Sequence, residues 1–196
     1  MRYFSIVVVA ALLALSISDS LNAASPLAVA SGPSRGQMIQ SFFVRAVTGP
    51  HRNRSVCYVC RYGTRPVVMV LMQGVDPNVA ALLKAIDGAV DGNRVEGLRS
   101  FGVLVTDESS TAVPILQTLA FDERIRTPLS AATTTIASSG ANNLHREAAT
   151  TVVLYRHHLA VESLAFKRGE LTDESIEDVI DAVGRLLEEK RPVAAR

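Results

Sequence analysis

Tryptophan is absent from this chain of 196 residues, and aromatic residues make up only 5% of it. Single-stranded nucleic acid is bound on clustered aromatic side chains interleaved with basic ones, and the scattered Phe and Tyr residues here form no such cluster. Charge of one sign is also scarce, because 20 basic and 19 acidic residues leave a net charge of +1. The composition therefore excludes a polybasic nucleic-acid binder, and 48% hydrophobic residues argue against a disordered chain.

A long apolar run occurs only at the N-terminus. Arg2 precedes an apolar stretch from Tyr3 to about Leu15, and small residues follow around Ala23 and Ala24. This pattern predicts a secretory signal peptide over residues 1–24, and hence a periplasmic or secreted protein. The stretch is shorter than the roughly 18 to 20 residues that a spanning helix needs, so no stable membrane span is expected after cleavage. An uncleaved N-terminal anchor is the alternative.

The rest of the chain predicts one folded domain, since about 150 residues per domain is typical. Residues 25–36 (SPLAVASGPSRG) are rich in small residues and lack periodicity, which predicts a flexible leader. The domain is expected over residues 37–190, with a tail over 191–196. The short continuous apolar run Pro66 to Met72 is typical of a strand buried on both faces of a sheet.

Apolar periodicity and capping residues predict the remaining elements. Asp76 followed by Pro77 is a helix start, and Thr172 with two acidic residues is another. Two strand-like runs joined by His157 and His158 predict a hairpin. The predicted strands cover 38–47, 66–72, 98–106, 150–156 and 159–166; the predicted helices cover 76–91, 107–121 and 172 to about 190; residues 127–136 are irregular or a short strand, and 138–143 are a loop.

This order of elements predicts an α/β sandwich around a mixed sheet, ending in a β-hairpin and an amphipathic helix. It resembles the thioredoxin fold, and the segment from Thr150 to Leu187 looks like the terminal strand, strand and helix of thioredoxin-like and peroxiredoxin-like proteins. The resemblance covers about residues 37–190. It implies a CxxC motif directly after the first buried strand, but this chain has Gln73 to Pro77 there, with no cysteine.

The only two cysteines are Cys57 and Cys60, in a CxxC motif before that strand. In an oxidising compartment they are expected to form a disulfide. The motif lies in a segment with no acidic residue between Gly49 and Pro66, and positive charge near a thiol lowers its pKa. Its basic residues are His51, Arg52, Arg54, Arg61 and Arg65.

Three interpretations of the pair remain open. A redox-active disulfide would use Cys57 and Cys60 as catalytic residues, and the resemblance implies that Cys57 attacks while Cys60 resolves, because the N-terminal cysteine of such motifs is usually the exposed one. A structural disulfide is equally compatible, although so short a loop is stabilised little by closure. Zinc bound with two of His51, His145, His157 and His158 is the third, but the spacing matches no zinc finger.

The resemblance and the motif together predict a secreted or periplasmic thioredoxin-like thiol-disulfide oxidoreductase with an unknown protein thiol or disulfide partner. A non-catalytic binding or scaffold protein with a structural disulfide is the alternative. No cofactor or metal is expected, since neither GxGxxG nor GxxxxGK[ST] occurs.

Overall fold

The computed structural model describes residues 29–134 and 142–189. The predicted signal peptide, the first part of the leader, the tail and most of the predicted loop 138–143 lie outside these residues. The elements in chain order are β1 (Val44–Ala46), β2 (Ser55–Val56), α1 (Tyr58–Tyr62), β3 (Val67–Met72), α2 (Pro77–Gly92), β4 (Arg99–Val105), α3 (Ser109–Asp122), β5 (Leu129–Ala132), β6 (Thr150–Arg156), β7 (Leu159–Phe166) and α4 (Asp173–Glu188).

The seven strands form one mixed sheet in the order β2-β1-β5-β4-β3-β6-β7. β3, β4 and β5 are parallel and are connected by α2 and α3, whereas β6 and β7 form the predicted antiparallel hairpin. β6 also pairs with β3, so β3 has one parallel neighbour, β4, and one antiparallel neighbour, β6. The expected α/β sandwich with a mixed sheet and a C-terminal hairpin and helix is therefore confirmed.

Side chains of β3 alternate between two cores because successive residues of a strand point to opposite faces. Val68, Val70 and Met72 face the larger core, which α2, α3 and α4 cover. Val67 and Met69 face a second core, which α1 and the chain before β1 cover. Both faces of the central strand are thus buried, as its continuous apolar sequence predicts.

The first predicted strand, over residues 38–47, is much shorter in the structure. Only Val44–Ala46 form β1, and Ile39 instead donates its backbone N–H to the carbonyl of His158 at 2.7 Å, beside β7. Since β7 and β1 lie near opposite edges of the sheet, the residues between them cross its second face. Ile39 and Phe42 are buried there, so the apolar sequence serves to cover a face and not to pair as one strand.

Residues 29–36, predicted as part of a flexible leader, contact β7 instead. The Arg35 guanidinium donates to the Val161 carbonyl at 3.0 Å, and the Ser163 hydroxyl donates to the Pro33 carbonyl at 2.7 Å. Gly32 has a φ of +92°, and a Cβ there would lie 2.9 Å from the Ser163 hydroxyl, so only glycine fits this close approach. The segment therefore covers the edge of an outer strand.

A buried carboxylate fixes the connection into β5. Asp87 of α2 accepts hydrogen bonds from the backbone amides of Arg126 at 2.6 Å and Thr127 at 2.8 Å, and from the Thr127 hydroxyl at 2.6 Å. These bonds fix the chain just before β5. Leu129 to Ala132 of β5 then pair with Gly102 to Val105 of β4. Among the described residues, no helix is long and apolar enough to cross a membrane.

Candidate functional site

Cys57 and Cys60 form a disulfide with their Cα atoms 5.4 Å apart, as the sequence predicts. The segment between the first two predicted strands contains the two-residue strand β2 and the short helix α1. Cys57 is the N-cap of α1, and Cys60 lies within the helix. The pair therefore lies at the start of a short helix that connects the edge strand β2 to β3.

The two cysteines differ in their exposure to solvent. Cys57 is buried, with 5% of its surface exposed, and belongs to the core cluster on the second face of the sheet. Cys60 is exposed. The expectation that Cys57 is the exposed cysteine of the pair is wrong here, because the N-cap position follows directly from a paired strand whereas Cys60 lies on the outward side of α1.

Local hydrogen bonds explain why these residues form a helix without an ordinary capping residue. The Cys57 sulfur accepts the backbone N–H of Cys60 at 3.2 Å, in the place where the oxygen of Ser or Asp would cap a helix. At the other end, Gly63 has a φ of +58° and donates its N–H to the Val59 carbonyl at 3.3 Å. Glycine adopts this conformation readily, so it ends the helix after one and a half turns.

Aromatic side chains fix α1 to the sheet. The Tyr58 ring stacks on that of Phe101 in β4, with centroids 5.0 Å apart, and the Tyr62 ring lies 5.6 Å from that of Tyr58. The Tyr62 hydroxyl donates to the Ser100 carbonyl at 3.2 Å. These contacts join one residue inside the motif and one just after it to the central strands, so the position of Cys57 is determined by the core.

Burial also changes the acidity of these phenols. Desolvation raises the pKa of Tyr58, Tyr62 and Tyr155 above the ordinary value, and the charge of Arg61 partly opposes this at Tyr58 and Tyr62. The hydroxyls of Tyr58 and Tyr155 are buried and have no hydrogen-bond partner among the described residues. All three side chains are therefore neutral at physiological pH and cannot act as bases toward a thiol.

The charged side chains of the segment that contains the motif are all basic. No Asp or Glu occurs between residues 37 and 75, whereas that segment contains Arg45, Arg52, Arg54, Arg61 and Arg65. These five side chains are exposed, and none forms an ion pair with a carboxylate among the described residues. Cationic side chains near a thiol stabilise its thiolate form, which is the nucleophile and the leaving group of disulfide exchange.

One contact with the motif comes from the other end of the chain. His158 is half-buried in the β6–β7 turn, and its Nε2 lies 3.3 Å from the carbonyl oxygen of Val59, between the two cysteines. Because a carbonyl only accepts, the imidazole donates this bond. The sequence predicts His157 and His158 only as the connection of the hairpin. His157 is exposed, but the inward contact of His158 was missed because it depends on the meeting of distant segments.

The junction after β3, where the resemblance implies a CxxC, forms a different concave feature. Asp76 caps α2 there by accepting the Val79 N–H at 2.9 Å. A cavity of about 390 Å³ opens at the carboxyl ends of β3 and β4, and its walls include Gln73, Asp107 and His145. Neither cysteine lines it. The cysteine helix enters β3 at its amino end, so the cysteines and this junction are attached to opposite ends of the strand.

The zinc interpretation of the cysteine pair needs additional ligands close by. The described residues contain no group of three or more His, Cys, Asp and Glu side chains arranged to hold a metal ion.

No protein-family model matches this sequence, and no curated protein matches it either. Solved structures do. A thiol:disulfide interchange protein of the thioredoxin family from Chlorobium tepidum has a TM-score of 0.57 at 11% identity, over 79% of this chain and 99% of that one. A secreted disulfide oxidoreductase from Mycobacterium tuberculosis, homologous to DsbE of Escherichia coli, has a TM-score of 0.53 at 10% identity, over 72% and 95%. PrxQ from Xylella fastidiosa has a TM-score of 0.59 at 10% identity, over 80% and 98%.

Identities this low relate the fold and not the chemistry. The structural match extends over nearly the whole length of PrxQ and of the Chlorobium tepidum protein. The chain therefore has a thioredoxin-like fold, with a CxxC disulfide placed before the first of its three parallel strands.

Proposed function

We propose that this protein is an exported thiol-disulfide oxidoreductase that exchanges electrons with protein partners through Cys57 and Cys60. The observation that carries the proposal is the asymmetry of the disulfide: Cys60 is exposed, whereas Cys57 is buried in the core and its sulfur accepts a backbone N–H. An accessible sulfur lets a partner thiolate approach, and a fixed second sulfur returns to the same position after each exchange.

The chemistry requires no cofactor. A partner thiolate attacks one sulfur of the disulfide and displaces the other as a thiolate, which gives a mixed disulfide. The N–H of Cys60, which the Cys57 sulfur accepts, favours the charged form of that sulfur when it departs. Two structurally similar proteins, a disulfide oxidoreductase and a thiol:disulfide interchange protein, support this use of the fold. In this chain, however, the motif lies before β3 and not after it.

The reduction potential of the pair tests the proposal. The mature protein is equilibrated with a series of glutathione buffers, and free thiols are trapped by alkylation and counted by mass. A midpoint between about −120 and −270 mV, the range of known exchange proteins, is expected. A Cys57→Ser/Cys60→Ser variant is the control for alkylation elsewhere. A pair that stays oxidised below about −300 mV contradicts the proposal, because structural disulfides lie there.

A second candidate is a non-catalytic binding protein in which the disulfide is structural. The separation of the motif from the junction at Gln73 to Pro77 favours this candidate, as does the burial of Cys57 in the core. It predicts that the disulfide resists reduction in the native protein and that reduction unfolds α1. The same glutathione series therefore decides between the two candidates.

Export is proposed from the apolar sequence of residues 1–24 and from the oxidised pair. Expression of the full chain in a bacterial host, followed by fractionation and N-terminal sequencing, tests it. We expect periplasmic protein that begins close to Ala24 or Ser25. Protein that retains Met1 in the membrane fraction would support the uncleaved anchor instead.

A further inference from the structure

We infer that Cys60, and not Cys57, is the sulfur that partner thiols attack, an order of roles opposite to the one the resemblance implies. This inference rests on the proposed function and assigns the roles within that site. It follows from the positions of the two sulfurs relative to the core and to the helix.

Access decides which sulfur an incoming thiolate reaches. Displacement at a disulfide proceeds with the attacking and leaving sulfurs in line, so the attacked sulfur must be open on the side away from its partner. Cys60 is exposed on α1, whereas Cys57 is 5% exposed and packs in the core cluster that contains Tyr58 and Phe101. A protein partner thus reaches Cys60 without disturbing the core, and reaches Cys57 only if α1 separates from the sheet.

The leaving sulfur has a hydrogen-bond donor of its own, which opposes the cost of charging a buried sulfur. Cys57 accepts the backbone N–H of Cys60 at 3.2 Å in the oxidised protein, so the donor is in place before the sulfur becomes charged. The aromatic contacts of Tyr58 and Tyr62 hold that donor by fixing α1. A thiolate with a fixed hydrogen-bond donor has a lowered pKa and leaves more readily.

Each step of the exchange forms one S–S bond and breaks another. A partner thiolate attacks the Cys60 sulfur, the Cys57–Cys60 bond breaks, and Cys57 leaves as a thiolate. A second thiolate of the partner then attacks the partner's own sulfur in the mixed disulfide, which forms the partner's disulfide and releases the Cys60 thiolate. Two electrons pass from the partner dithiol to the CxxC pair. In the reducing direction the Cys60 thiolate attacks the partner disulfide, and the Cys57 thiolate resolves the mixed disulfide.

Single-cysteine variants test the assignment. Cys57→Ser leaves Cys60 alone, and Cys60→Ser leaves Cys57 alone. We expect the Cys57→Ser variant to react with 5,5′-dithiobis(2-nitrobenzoate) at least about tenfold faster than Cys60→Ser, and to accumulate a stable mixed disulfide with glutathione, because thiol reactivity follows exposure. Equal rates, or a faster Cys60→Ser variant, would overturn the inference.

The wild-type protein provides a measurement that does not depend on folding of the variants. The pair is reduced, labelled briefly with substoichiometric iodoacetamide, quenched in acid and mapped by peptide mass. Most of the early label is expected on Cys60, and predominant label on Cys57 would contradict the assignment. The proposed function fails separately, when the wild-type disulfide does not equilibrate with glutathione at all.

A different observation, the charge around the pair, points to the class of partner. We propose that the partner cysteine lies in an acidic polypeptide segment. The five arginines between residues 37 and 75 have no carboxylate partner in the described part of the chain, and they flank the motif on both sides: Arg54 precedes Cys57 by three residues and Arg61 follows Cys60 directly. An uncompensated cluster of one sign raises the encounter rate with segments of the opposite sign.

Three peptides that differ only in the residues next to one cysteine, flanked by Glu, Ser or Lys, test this proposal. Their rates of reduction of the native disulfide are each divided by the rate with an uncharged small-molecule disulfide, which removes differences in thiol pKa. The Glu peptide is expected to be about three to ten times faster than the Lys peptide at low ionic strength, and the ratio is expected to approach one at high salt, since exposed charges are screened.

A charge-reversed variant separates this local effect from the charge of the whole protein. Arg61→Glu is expected to bring the ratio of the Glu-peptide and Lys-peptide rates closer to one. Arg168→Glu is the matched control, because Arg168 is also exposed and unpaired among the described residues but follows β7, at the other edge of the sheet. A ratio near one in the wild type, or an equal effect of Arg168→Glu, would overturn the proposal.

Discussion

Reduction of the Cys57–Cys60 disulfide should cost the protein little stability. The bond joins residues only three positions apart, so it closes a very short loop. The chain-entropy relation for a loop of about four residues gives about 2 kcal/mol at 25 °C, against about 3 kcal/mol for a 15-residue loop. A native domain typically has about 5 to 15 kcal/mol of total stability, so the reduced protein is expected to remain folded.

The loss of folding free energy on reduction is linked to the reduction potential of the disulfide. If oxidation stabilises the folded chain by about 2 kcal/mol, folding makes the disulfide harder to reduce by the same free energy, which is about 40 mV for a two-electron couple. The potential of the native pair should therefore lie close to that of the same pair in the unfolded chain. A small difference is what allows reversible exchange.

Urea denaturation with and without a phosphine reductant, followed by circular dichroism, measures the cost directly. A loss of about 2 kcal/mol corresponds to a shift of about 0.7 to 1 M in the midpoint for an m-value of about 2 to 3 kcal/mol/M. The Cys57→Ser/Cys60→Ser variant should show no effect of the reductant. A loss of about 4 kcal/mol or more would refute the reasoning, because α1 would then depend on the bond and the disulfide would be structural.

Three further predictions concern the surroundings of the site. Asp87→Ala should lower the free energy of unfolding by about 2 to 4 kcal/mol in urea, because it leaves two backbone amides without an acceptor, while Asp87→Asn should cost less. Tyr155→Phe should be neutral or stabilising by up to about 1 kcal/mol in the same assay, since it removes a buried hydroxyl that has no partner, and a clear loss would indicate a bound water. The hydrogen bonds from Thr134 lower the pKa of Asp107, so Thr134→Val should raise that pKa in a carboxyl NMR titration. Because the folded pKa is depressed, the stabilising effect is present above the unfolded pKa and is lost as pH falls through the folded one, so the variant and the wild type should converge in acid.

Elements with strong periodicity could be predicted from the sequence. The apolar run of β3, the Asp76–Pro77 start of α2 and the capping residue Thr172 of α4 each carry a local signal, and the structure has these elements within one or two residues of the predicted bounds. The hairpin of β6 and β7 was predicted for the same reason. Local patterns suffice where one element's own sequence determines both its type and its buried face.

The site itself depends on contacts that the sequence does not record. Helix α1 begins at a cysteine and not at Ser, Thr, Asp or Asn, so no familiar capping residue indicates it. Cys60 is more exposed than Cys57 because Tyr58 packs against Phe101, a residue more than forty positions away. His158 reaches Val59 across a still larger separation. Such features follow from tertiary contacts, which periodicity within one element cannot predict.

The position of the disulfide before β3 also determines what can activate it. At the junction after β3 a thiol would meet the N-terminus of α2, a helix of 16 residues, but that position is capped by the Asp76 carboxylate, whose negative charge would raise a thiol pKa. Helix α1 has only five residues and supplies little dipole. Stabilisation of a thiolate at this site must therefore come from the N–H of Cys60 and from exposed arginines. Charge in solvent is screened by salt much more than a direct hydrogen bond from a backbone N–H, so ionic strength should separate the two contributions.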